Sequence, residues 1–345
     1  MFVFAIVTIC GGFVMLFTWS LQMSGTFTGT NRRSAVRRRS GLGRQPDMEG
    51  LEEIGHSSEV ANVIPSSTQG DIDLGDYLSA GDLPIDFTSV QRLKNICSER
   101  YERLVDETTT MATEYLVFRK VTKDDLVKID RSHCDLRIRI FYDFSMELLI
   151  VKLMVGKAHE WVSTLFAEHL REKVRGRCGD FYTLCDMGAF RCTSAMGRAK
   201  EPDVALVPMN RQNEADWPSC VIEVGVSESL AALKNDAHFW ILHSGGLTRV
   251  VILIAVDPQT RTLTIERWGD KPPAYPSHVT GGVIRPRMAQ CVTIDINGVI
   301  GAPLDVPSGL IFDVGHVPTG VLASDFSFDA NELSALYTRF WGMLR

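Results

Sequence analysis

EPDVALVP (Glu201–Pro208), followed by WPSCVIEVGVSES (Trp217–Ser229), holds two short apolar runs, each carrying one acid. Asp203 stands at the mouth of the first run. Glu223 lies inside the second, among Val221, Ile222 and Val224. A carboxylate in such company is costly unless it is paired or bound to a cation. Two of them, delivered by neighbouring strands, are what a hard divalent metal asks for. Taken singly, each acid also fits a plainer role as strand-end cap or structural carboxylate.

Working outward, periodicity supplies the neighbours. Residues from about Ser229 to His243 read as a helix, with Leu230, Leu233, Ala237, Trp240 and Ile241 on one stripe and Gly245-Gly246 ending it. Arg249–Val256 and Thr262–Trp268 read as a hairpin around Asp257-Pro258. Upstream, Ala158–Val174 is helical in pattern, with Ala158, Val162, Leu165 and Phe166 along one face. Leu136–Ile140 alternates as a half-exposed strand should, Leu148–Leu153 is a more buried strand, and Phe144–Met146 turns between them. Phe181–Cys185 is extended. Val90, Leu93, Ile96 and Leu104 mark an earlier helix, and residues 325–343 a closing one through Leu333, Leu336, Tyr337 and Phe340. Helix, strands, helix, strand predicts a mixed sheet flanked by helices, an α/β fold.

The ends of the chain differ from this body. The first 31 residues contain no charged side chain or histidine, and Phe2–Leu21 is long and apolar enough to cross a bilayer as a helix. Arginines follow it only afterwards, which would keep the body cytosolic. The competing reading starts the protein at Met23, leaving a nuclear or cytoplasmic chain. Residues 1–22 are therefore expected as a membrane segment, 23–84 as a flexible linker rich in Gly, Ser, Asp and Arg, and 85–345 as the folded domain. Six arginines (Arg32, Arg33, Arg37, Arg38, Arg39, Arg44) lie in residues 1–47 beside one acid, Asp47; residues 48–345 hold 30 basic and 41 acidic side chains, a net of −11. So acidic a body does not advertise general affinity for phosphate. Eight cysteines show no C-x-x-C pair, and Cys185, Cys192 and Cys220 read as small hydrophobes. No phosphate loop, H-E-x-x-H or G-x-S-x-G occurs, which gives no support to an NTPase, a zincin or a serine hydrolase.

Pro202-Asp203, Trp217-Pro218-Ser219, Val221–Gly225, Ser227-Glu228-Ser229, Lys234–Ala237, Ser244-Gly245-Gly246 and Val250–Ile254 occur in that order. Over roughly residues 135 to 270 the chain thereby resembles the PD-(D/E)XK nuclease superfamily, specifically the restriction-endonuclease-like proteins of the Uma type and their fungal relatives. The resemblance implies a restriction-endonuclease-like mixed central sheet and Mg²⁺-dependent (or Mn²⁺-dependent) hydrolysis of DNA phosphodiester bonds. Asp203 and Glu223 would hold the metal.

The same resemblance implies a lysine two residues after the acid, on its face of the strand. That position is Gly225, which supplies no charge. Lys234, at the edge of the following helix's apolar stripe, is the candidate replacement. The resemblance also implies an acid near the start of the earlier helix, where Glu160 stands, although the helical wheel points Glu160 to water. His159 lies at the edge of that helix's stripe, and His169 in its middle reads as a buried, hydrogen-bonded histidine. Asp236 reads as a helix-surface charge, and Glu201 as either a supporting group or a solvated acid. Gly225, the acidic body and the position of Glu160 favour a catalytically inactive descendant that uses the fold for binding or scaffolding. Glu223 kept inside an apolar strand favours an active enzyme.

Overall fold

The computed structural model describes residues 9–10, 13–14, 74–78, 82–105, 113–132, 137–154, 156–180, 182–188, 190–211, 216–226, 230–269, 286–313, 315–321 and 324–344. Two compact units divide the chain, 1–66 and 67–345. In the first, β1 (Ile9–Cys10) and β2 (Phe13–Val14) pair antiparallel. The rest of the apolar run Phe2–Leu21, and the arginines after it, lie outside the described residues. Among the described residues no helix is long and apolar enough to cross a membrane.

The second unit begins earlier than the sequence suggests. A 3-10 turn at Leu74–Tyr77, inside the range expected as linker, packs into the fold: Tyr77 is buried edge-on against Tyr115, and Asp76 accepts a hydrogen bond from Asn235 at 2.7 Å. Then come β3 (Ile85–Asp86), α1 (Val90–Val105), β4 (Tyr115–Arg119), α2 (Lys123–Ser132), β5 (Ile138–Asp143) and β6 (Leu148–Leu153). Next are α3 (Gly156–Cys178), β7 (Leu184–Asp186), β8 (Cys192–Thr193), β9 (Arg198–Lys200), β10 (Val204–Pro208) and β11 (Cys220–Val226). The chain finishes with α4 (Leu230–His243), β12 (Val250–Asp257), β13 (Thr262–Trp268), β14 (Met288–Asp295), β15 (Gly298–Ile300), β16 (Leu304–Val306), α5 (Ser308–Ile311), β17 (Phe326–Phe328) and α6 (Ala330–Met343).

Helix α3, the antiparallel strands β7, β10 and β11, helix α4, and β12 parallel to β11 form the core of a seven-stranded mixed sheet, ordered β15-β14-β13-β12-β11-β10-β7. This is the mixed central sheet flanked by helices that the sequence predicts. A parallel pair buried on both faces reads as a continuous apolar run, and β11 is buried at every residue but Val226. Alternation divides its side chains. Cys220, Ile222 and Val224 pack with Val162, Phe166 and Leu170 of α3, while Val221 packs with Leu233, Ala237 and Trp240 of α4.

A second, six-stranded sheet, β3-β4-β6-β5-β9-β8, was not foreseen from the sequence. One face, through Leu116, Phe118, Tyr142, Leu149 and Val151, is covered by α1 and α2. The opposite face, through Val117, Phe141, Leu148 and Ile150, meets α4 and the central sheet. Helix α4 is thereby held between two sheets. Lys152 shares the face of Leu148 and Ile150 by the same alternation, so β6 aims it at the central sheet. The closing helix α6 starts on a capping box: Asp329 accepts from the Glu332 amide at 2.8 Å, and Glu332 accepts from the Asp329 amide at 3.0 Å. Its Leu333, Leu336 and Phe340 complete the core beneath α3.

Candidate functional site

Asp203 immediately precedes β10, and β10 lies antiparallel to β11 with Val204 opposite Ile222. That register carries the Asp203 carboxylate across to the Val224 amide, which donates to Oδ2 at 2.8 Å. The same oxygen accepts from Lys152 Nζ at 2.9 Å and from His159 Nε2 at 3.0 Å. Lys152 donates as well to the Val224 carbonyl at 2.6 Å, and its ammonium lies 3.7 Å from Glu223 Oε2. The two acids singled out from the sequence are thus drawn to one ammonium from the other sheet.

The cluster continues past Glu223. Its Oε1 accepts from the Trp240 indole at 2.6 Å and lies 3.8 Å from Lys200 Nζ. Lys200, on β9, approaches Asp236 Oδ1 of α4 at 2.9 Å. Read in order, acidic and basic side chains alternate: Asp203, Lys152, Glu223, Lys200, Asp236. Four elements and the residue just before β10 supply them, and all five side chains are withdrawn from water, the most exposed at 4%.

Burial alone would push every carboxyl here upward. At Asp203 burial is outweighed by His159 and Lys152, which hold the group well below the usual carboxylate range. At Glu223 burial dominates and Asp203 and Asp236 add to it, so that despite Lys200 its pKa rises to about 8. Glu223 is accordingly protonated at neutral pH. Lys200 is pulled down by burial but raised on balance by Asp236 and Glu223.

The remaining sequence candidates lie apart from it. Lys234 is half-exposed and points to Glu266 on β13, at 3.6 Å, not to the acid pair. Glu160 is exposed and lies 3.5 Å from Arg137, on the water-facing side of α3 that the helical wheel assigns it. Asp236, expected on the helix surface, is instead 1% exposed, because the second sheet covers that flank of α4. Glu201 is neither solvated nor a support for the acid pair: it accepts from Arg191 at 2.8 Å and from the Ile140 amide at 3.1 Å. His169 Nδ1 donates to the Leu165 carbonyl, 2.7 Å away, as a hydrogen-bonded helix histidine. Lys152, Lys200 and His159 are the partners that the sequence reading left unassigned.

A divalent cation between Asp203 and Glu223 does not fit these residues as they stand. Mg²⁺ keeps several waters and needs room for them, whereas the gap is filled by the Lys152 ammonium and closed to solvent. Among the described residues no group of three or more His, Cys, Asp or Glu is placed to hold a metal. Two buried oxygens, Asp203 Oδ1 and Glu223 Oε2, nonetheless have no hydrogen-bond partner.

No protein-family model matches the chain, and no curated protein matches it. Among solved structures, it is similar to one described as a "putative nuclease belonging to DUF820" from Anabaena variabilis. The two share 14% sequence identity and a TM-score of 0.37, with 63% of this chain and 99% of that chain covered.

Proposed function

We propose that the folded unit is a catalytically inactive, nuclease-like α/β module that works by binding or scaffolding, its acid pair having become an internal brace. One observation carries this reading: the Lys152 ammonium, 2% exposed, stands between Asp203 and Glu223 in the place where a metal and its waters would have to be. Gly225, on the face of β11 that bears Glu223, adds no cation of its own. The partner class that the chain offers is DNA. The arginines at 32–44 supply the phosphate-binding charge, since residues 48–345 carry a net of −11.

The second reading, a Mg²⁺-dependent DNA endonuclease, is favoured by the two buried oxygens that accept no hydrogen bond, Asp203 Oδ1 and Glu223 Oε2. It requires Lys152 to withdraw. Calorimetric titration of the full chain with MgCl₂ and MnCl₂, run beside incubation with supercoiled plasmid, separates the two. No saturable heat and an intact plasmid are expected. Saturable metal binding with cleavage that Asp203→Ala abolishes would replace the brace with the enzyme.

A further inference from the structure

We propose that the six-stranded sheet carries, on its face away from the central sheet, a binding site for a small zwitterion with an apolar tail, in its simplest form an apolar α-amino acid. The site is separate from the acid cluster and goes beyond the inactive-module reading, on which it does not depend.

Helix periodicity and strand register build it. Cys97, Ser98, Tyr101 and Glu102 stand at i, i+1, i+4 and i+5 of α1 and so share one side of that helix. Ile138 and Leu153 are ladder partners where β5 begins and β6 ends. A cavity of about 330 Å³ lies between these two groups, and Arg137 lines it as well. Its size is that of a small-molecule site. Leu153 packs with Ile138 and Val151 on the face covered by α1, so alternation turns it away from Lys152 and the buried acids.

Floor and rim differ in chemistry. Cys97, Ile138 and Leu153 are buried and make the floor apolar. Burial pushes the Cys97 thiol up to about 12, which leaves it a small neutral hydrophobe and no nucleophile. Ser98, Glu102 and Arg137 are exposed at the rim, and Tyr101 is half-buried. Among the described residues the Arg137 guanidinium meets only Glu160, 3.5 Å away, and the Glu102 carboxylate meets no cation. The two signs select the ligand. A simple carboxylate would gain from Arg137 and be repelled by Glu102; a simple amine would meet the reverse. A neutral apolar molecule would use neither charge. A zwitterion uses both, setting its carboxylate at Arg137 and its ammonium at Glu102, while its apolar side chain leaves water for the floor.

The experiment titrates the full chain calorimetrically with L-leucine and with L-phenylalanine, at low ionic strength because salt screens exposed charges. Leucinamide, which lacks the carboxylate, and 4-methylpentanoate, which lacks the ammonium, are run beside them. Arg137→Met and Glu102→Gln complete the set; both side chains are exposed, and an unchanged Tm verifies that the variants fold. At least one amino acid should bind the wild type saturably. Binding should weaken by about tenfold or more in each variant and for each truncated analogue, since each loses one charge-assisted contact. No saturable heat with either amino acid would overturn the proposal. Binding that both variants keep at full strength would also overturn it, by placing the ligand elsewhere. Analogues that bind as well as leucine would reduce the site to an apolar cavity and refute the zwitterion. None of these readouts involves a metal or DNA, so a failure here leaves the inactive-module reading untouched.

Discussion

Lys152 Nζ lies 2.9 Å from Asp203 Oδ2, joining a strand of the six-stranded sheet to the first acid of the central sheet with neither side chain open to water. Breaking such a pair leaves the other charge buried and alone, which costs about 3–5 kcal/mol, whereas removing both charges together costs far less. Lys152→Met and Asp203→Asn should each destabilise the unit by about that amount in urea denaturation, and the double variant by clearly less than their sum. Strict additivity would show that the two groups do not interact.

Glu223 gives the pH dependence its sign. Its pKa is raised by burial to about 8 from the ordinary 4.5, so between those values the folded state holds a proton that the unfolded state has lost. Its contribution is fully present below pH ~4.5 and is lost as pH rises through about 8. Glu223→Gln keeps the neutral form at every pH. The variant should therefore gain stability relative to wild type as pH rises from about 5 to 8, by an amount on the order of a few kcal/mol. Urea midpoints measured across that range check it, and a constant difference would mean that Glu223 is ionised throughout.

A second charge centre makes an independent test. Asp313 accepts from Arg211 Nε at 2.7 Å, from a second Arg211 nitrogen, from Arg249 at 2.8 Å and from Asn210 at 2.7 Å. Burial acts to raise its carboxyl, but these donors hold it well below the ordinary carboxylate range. A lowered pKa stabilises above that range and the benefit is lost as pH falls through it. Asp313→Asn should destabilise the unit at pH 7 by on the order of 3 kcal/mol, with the gap to wild type shrinking below about pH 3. Thermal melts at the two pH values decide it.

How far the sequence revealed this arrangement depends on which signals lie close together. Val221–Val224 announced a buried acid, and the succession α3, β7, β10, β11, α4, β12 followed from periodicity, without β8 and β9. Lys152 carries the same signal in reverse: a lone cation inside Leu148–Leu153, buried like its neighbours. Its partner is 51 positions away across an unforeseen sheet, so spacing could not pair them. Helix α2 was also missed, although Thr122 and Asp125 cap its start reciprocally, the Asp125 amide donating to Thr122 Oγ1 at 3.2 Å. A capping box is legible in sequence, and here it marks the start of a helix between two elements that periodicity does reveal. Lys234 misled for a physical reason: the edge of the helix stripe brings it to Glu266, an acid on a strand that the family motif does not include.

Arg198, Lys200, Glu201 and Asp203 fall within one short crossing, where the chain leaves β9 of one sheet and enters β10 of the other. Each is locked to a different element: Arg198 to Asp143, Lys200 to Asp236, Glu201 to Arg191 and Asp203 to Lys152. Side-chain direction inverts at every step of extended backbone. Inserting a single residue between Lys200 and Val204 would therefore turn the side chains on one side of the insertion away from their partners while leaving the other side in register. This seam has no slack in its count.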